Sequence, residues 1–110
     1  MEPQFVREIH SGDVKNFPGA LSYQLFNETN SPVNGFSAMF NEFTNDTYLK
    51  PGIHEDNEGF YVVEGSGSIQ IANQEFTLGS GSAMIVPANT LHAIKKNSAN
   101  CLKIFLFHFK

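Results

Sequence analysis

Clusters of Gly, Pro, Asn and Ser interrupt this chain about every ten residues, and no window of about twelve keeps apolar side chains at the i, i+3, i+4, i+7 spacing of a helix. Between the interruptions lie short runs rich in Phe, Tyr, Ile and Val, at residues 21–26, 36–43, 60–63, 68–72, 75–78, 83–86, 91–95 and 102–109. Short strands at that spacing predict an all-β sandwich or barrel. A chain of 110 residues forms one hydrophobic core, so a single domain is expected, with residues 1–20 as an N-terminal arm and 21–110 as the barrel. Hydrophobic residues make up 41% of the chain and charged ones 16%, which suits a folded globule and excludes a disordered segment.

Two turns are marked. Gly65-Ser66-Gly67 tolerates positive φ, and Asn73-Gln74 is expected to close a tight hairpin. Side chains alternate along a strand, so Ile69 and Ile71 share one face while Ser68 and Gln70 share the other. By contrast, Phe60-Tyr61-Val62-Val63 and Ile104-Phe105-Leu106-Phe107 are apolar on both faces. Their outer sides need a cover, and a second subunit is the simplest one, which makes a homodimer the expectation.

Net charge is −4 with only seven Lys and Arg, scattered apart from Lys95-Lys96, so nothing here would neutralise a run of phosphates. Nucleic acid is not an expected partner. No apolar run approaches the ~20 residues of a membrane-spanning helix, so no membrane partner is expected either. Met1-Glu2-Pro3-Gln4 lacks the basic and apolar regions of a secretion signal, and the single Cys101 excludes an internal disulfide framework. Cytoplasm is the expected address.

The chemistry concentrates in two segments. The first is Pro51-Gly52-Ile53-His54-Glu55-Asp56-Asn57-Glu58-Gly59-Phe60-Tyr61-Val62-Val63-Glu64-Gly65. The second runs Gly79-Ser80-Gly81-Ser82-Ala83-Met84-Ile85-Val86-Pro87-Ala88-Asn89-Thr90-Leu91-His92. Together they resemble the two motifs of the cupin superfamily. The first of these is a His-x-His pair, then Glu, six residues and Gly; the second is Gly, then Pro, then His. The resemblance implies an all-β, cupin-type jelly-roll β-barrel (a double-stranded β-helix) as a small single domain. Glu58 and Gly65 fix the register, which puts His54 at the second His and His92 at the third. The first His falls on Gly52, which has no side chain to offer. The resemblance therefore implies three metal ligands, His54, Glu58 and His92, where the family usually has four.

A shifted register would make His54 the first ligand and put Asp56 at the second His, on the same strand face. Two imidazoles and a carboxylate leave positions open for water or substrate and suit a divalent transition metal such as Fe, with Zn, Ni or Mn as alternatives. The plainer reading makes His54 and His92 buried polar residues, with Glu58 holding one of them, in a barrel that takes an organic ligand without metal. His108 has two positions open to it. Among Phe107 and Phe109 it would sit on an outer or subunit surface, the favoured placement. With Ile104 and Leu106 it would line the pocket mouth or replace the absent ligand.

The remaining candidates read as structure. His10 lies in a loop-like, solvated stretch. Cys101 is a small hydrophobe rather than a nucleophile. Glu55 and Glu64 belong to a solvated turn, and Gly59 and Gly65 serve the backbone as turn residues of permissive φ. Pro87 ends a strand so that His92 re-enters the barrel. Cupins of this kind include dioxygenases, decarboxylases and isomerases, so the resemblance implies a site for a small polar organic molecule, with Glu58 available as an acid or base. The alternative it implies is a non-catalytic ligand-binding or sensor barrel for a sugar or small acid.

Overall fold

The computed structural model describes residues 4–97 and 99–110. Met1, Glu2 and Pro3, the start of the expected arm, lie outside them. Among the described residues, nine strands follow a 3-10 turn at Ile9–Ser11: β1 Val14–Phe17, β2 Ala20–Phe26, β3 Phe36–Phe43, β4 Asn57–Glu64, β5 Gly67–Ile71, β6 Gln74–Leu78, β7 Ala83–Val86, β8 His92–Lys96 and β9 Leu102–Phe109. They form a six-stranded sheet in the order β1-β2-β3-β9-β4-β7 and a three-stranded sheet in the order β6-β5-β8. All named pairings are antiparallel. Among the described residues no helix is long and apolar enough to cross a membrane. The expected all-β jelly roll is the architecture observed.

Alternation fixes which side chains meet between the sheets. Phe60 and Val62 of β4 lie in register with Leu106 and Ile104 of β9, and all four are buried. Ile69, Leu78 and Ile94 complete the core from the smaller sheet. Each such side chain contributes about 1.5–3 kcal/mol by leaving water, and this packing holds the sheets face to face. The opposite parity is outward, where Tyr61, Val63 and Ile85 are exposed. Phe105, Phe107 and Phe109 form an aromatic row on that face, with ring centroids 5.9 and 5.8 Å apart.

Three local expectations are corrected. Residues 14–20, placed in the arm, instead form β1 and open β2, and Val14 pairs with Tyr23. The hairpin turn is Ala72-Asn73 rather than Asn73-Gln74, because Ile71 pairs with Gln74 and Ala72 takes a φ of 55°. Gly65 has the positive φ foreseen for it, at 95°. Gly59, however, is not a turn residue. It lies within β4 under the Phe107 ring, which occupies the space a Cβ would need.

Candidate metal centre

Glu58 is the second residue of β4 and shares the parity of Phe60 and Val62, so its side chain points inward. It stands in direct register with His108 of β9, which shares the inward parity of Ile104 and Leu106. His92 opens β8 on the opposite sheet, opposite Ile71. His54 lies in the segment before β4, which backbone hydrogen bonds hold in place: Gly52 N–H donates to His92 O (2.9 Å), His92 N–H to Gly52 O (3.0 Å) and Asn89 N–H to His54 O (2.7 Å). Ala88 N–H donates to Asn57 Oδ1 at 3.0 Å, so the loop after Pro87 is fastened to the same segment.

These elements gather three imidazoles around one carboxylate. Glu58 Oε1 faces the Nε2 atoms of His92 at 3.0 Å and His54 at 3.3 Å, while Oε2 faces Nε2 of His108 at 2.8 Å. The other ring nitrogens are already engaged. His54 Nδ1 lies 3.1 Å from the Asp56 backbone carbonyl and 2.7 Å from Asp56 Oδ1, His108 Nδ1 lies 3.1 Å from the same carboxylate oxygen, and Thr90 O lies 2.9 Å from His92 Nδ1. Carboxylate and carbonyl oxygens only accept, so each Nδ1 carries the proton. All three Nε2 atoms are thereby turned on Glu58. Each must bear either a second proton or a lone pair that a cation can take, since a lone pair aimed at a carboxylate is repulsive.

The charges follow from this packing. Burial would raise the Glu58 carboxyl, but hydrogen bonds from His108 and His92 outweigh it and hold the group at about 2. The hydrogen bond to Glu58 pushes His108 up to about 9 against the effect of burial. Burial lowers His92, yet its bonds to Glu58 and Thr90 leave it raised. Asp56 is lowered, because its bond with His108 and the nearby imidazole charges overcome desolvation.

The residues named from sequence therefore converge, with one rearrangement. His54, Glu58 and His108 place one ligand atom each within 4.8 Å of one another. His92 lies outside that group of three, though its Nε2 is 3.0 Å from Glu58 Oε1. His108 is not on the outer surface favoured for it. Both parities of β9 are apolar, so hydrophobicity gave no reason to choose the inner one. Asp56 lies behind the rings rather than among the converging nitrogens. Gly52 forms an isolated antiparallel bridge with His92, so a side chain there would share His92's face, where it would meet open space. His10, Cys101 and Glu64 take no part: His10 packs edge-on against Tyr23, Cys101 is a free thiol, and Glu64 faces Lys103 at 3.6 Å.

Three imidazoles and one carboxylate, all ending in nitrogen or oxygen donors, fit a divalent transition ion well. Several spaces adjoin the cluster, among them a cleft lined by Asp56 and His108. Glu58 and His92 line a cavity of 210 Å³ between the sheets, walled by Phe43, Phe60 and Leu106. His54 and Asp56 line an open cleft on the other side.

Comparison with known proteins agrees with this architecture. The cupin domain family model matches residues 44–107. KdgF from a Halomonas species is 22% identical, with a TM-score of 0.74 over 94% of this chain and 92% of its own. An RmlC-like cupin from Shewanella frigidimarina is 16% identical, with a TM-score of 0.78 over 96% and 90%. Salicylate 1,2-dioxygenase from Pseudoaminobacter salicylatoxidans is 18% identical, with a TM-score of 0.72 over 84% of this chain but 26% of that one. At these identities the likeness shows the fold. No curated protein matches the sequence.

Proposed function

The chain belongs to the cupin family, and we propose that it is a metal-dependent small-molecule cupin whose ion is held by His54, Glu58, His92 and His108. One observation carries the reading: three Nε2 atoms, each with its Nδ1 proton already committed, point at one buried carboxylate. His108 then supplies from β9 the imidazole that Gly52 cannot. Asp56 and Thr90 O orient the rings, a role that outer hydrogen-bond partners commonly fill at metal sites.

A bound ion would supply Lewis acidity toward a carbonyl or carboxylate oxygen. The chain's own residues bind and orient. Phe43, Phe60 and Leu106 exclude water from one side of the cavity, and Glu58 and His92 present the polar end. Held at about 2, Glu58 stays ionised at neutral pH, which suits a ligand better than a proton shuttle. The reaction is proposed within the dioxygenase, decarboxylase or isomerase types, on a small polar organic molecule. The exposed outer face of β4 and β7 supports a homodimer, and a single cysteine suits a reducing compartment such as the cytoplasm.

The test is metal content, measured by elemental analysis, in protein purified without a nickel column. Wild type should carry about one equivalent per chain. His92→Ala and His108→Ala should each lose most of it while keeping the β-sheet circular dichroism. Equal metal in all three would remove both imidazoles from the site.

A further inference from the structure

The cavity beneath the histidines has a second polar end that neither motif contains. Asn41, on β3, stands in register with Ser22 of β2 and Ile104 of β9, both completely buried, so it faces the space between the sheets. Its Oδ1 is buried and has no hydrogen-bond partner among the described residues. The same residue lines the 210 Å³ cavity that Glu58 and His92 line. Beside it, Gln24 Nε2 donates to Ser22 Oγ at 2.8 Å. A buried amide oxygen left unsatisfied costs stability that an apolar side chain in the same place would not, so its retention there fits a group that a ligand completes.

The spacing sets the shape of that ligand. Val62 is in register with Ile104 and hence with Asn41, and it lies four residues along β4 from Glu58. At a rise of about 3.4 Å per residue the two rows are roughly 14 Å apart, so a molecule touching both ends is elongated. Phe60 and Leu106 occupy the row between them and suit a hydrocarbon chain, while Phe43 closes the cavity beyond Asn41.

We propose that Asn41 is the specificity-determining residue of this cavity, its amide receiving the distal hydroxyl of a hydroxy acid whose carboxylate lies at the histidine end. The carboxylate half rests on the metal reading above; the hydroxyl half rests on Asn41 alone. A hydroxyl both donates and accepts, and sites built to bond one reject the analogue that lacks it.

The test titrates metal-loaded protein with 6-hydroxyhexanoate, 7-hydroxyheptanoate and 8-hydroxyoctanoate, each against the matching acid without the hydroxyl. Wild type should bind at least one hydroxy acid tenfold or more tighter than its partner. Asn41→Leu should reduce that preference below twofold with metal content unchanged, and Asn41→Asp, which retains an acceptor oxygen, should keep most of it. If the leucine variant does not fold, Asn41→Ala takes its place. No preference in wild type, or a preference that survives loss of the amide, overturns the proposal. If wild type takes up no metal, the metal reading fails separately, and the same titration on the metal-free chain decides Asn41.

Discussion

Glu58 and His108 stand directly opposite each other on β4 and β9, with Nε2 of the histidine 2.8 Å from Oε2 of the carboxylate. The register places them there, and the shared inward parity of the two strands leaves neither another direction. Because Asp56 occupies the far nitrogen of the same ring, this pair would control how protons and cations compete for the proposed metal site.

The first prediction concerns pH. His108 is raised from 6.5 to about 9, so its contribution to apo stability is complete below 6.5 and is lost as pH rises through about 9. Glu58 is depressed to about 2, so its contribution is present above the ordinary carboxylate range and fades as pH falls toward 2. Metal must displace the Nε2 protons, so its affinity should rise across the window in which apo stability declines. Apo melting temperature and metal affinity measured from pH 6 to 9 should move in opposite directions; parallel changes would contradict the assignment.

Asp56→Ala should free Nδ1 of His108 and leave His54 Nδ1 with only the backbone carbonyl of residue 56, without removing a proposed ligand. Metal affinity is expected to fall about 10–100-fold, as when outer partners are lost at other sites. The pH midpoint of metal uptake should shift as well, a change that general loosening of the loop would not produce.

Gly52→His should be tolerated sterically, since nothing lies within 4 Å of a Cβ there and the position shares His92's face. An added imidazole should tighten metal binding by about tenfold or more. Unchanged affinity in a folded variant would show that position 52 does not reach the centre.

The outer face offers a separate test. Tyr61 is 48% and Ile85 55% exposed on neighbouring strands of the large sheet. The double variant Tyr61→Lys, Ile85→Lys should convert a dimer to a monomer in sedimentation while metal content stays constant. A wild-type monomer would remove the dimer from the proposal.

All eight runs of Phe, Tyr, Ile and Val became strands, since burial between two sheets demands just such side chains. β1 escaped because Val14, Lys15, Asn16 and Phe17 are all exposed; an edge strand with no buried face leaves no alternation to detect. The Ala72 turn was hidden because alanine gives no sign of a positive φ. His54, Glu58 and His92 were legible through two motifs. His108 was not, because Phe105 and Phe107 on one side and Ile104 and Leu106 on the other make both faces of β9 look equally dry. Asn41 was invisible for a related reason: a lone amide in the aromatic run of β3 announces nothing until a cavity is found beside it.

Among the described residues the two sheets share no hydrogen-bonded ladder, and His92 belongs to the smaller one while Glu58 and His108 belong to the larger. An ion lodged among them would act as a rivet, so that β5, β6 and β8 could not peel away without first releasing it. Loading should then slow amide exchange throughout the smaller sheet, far from any atom the ion touches.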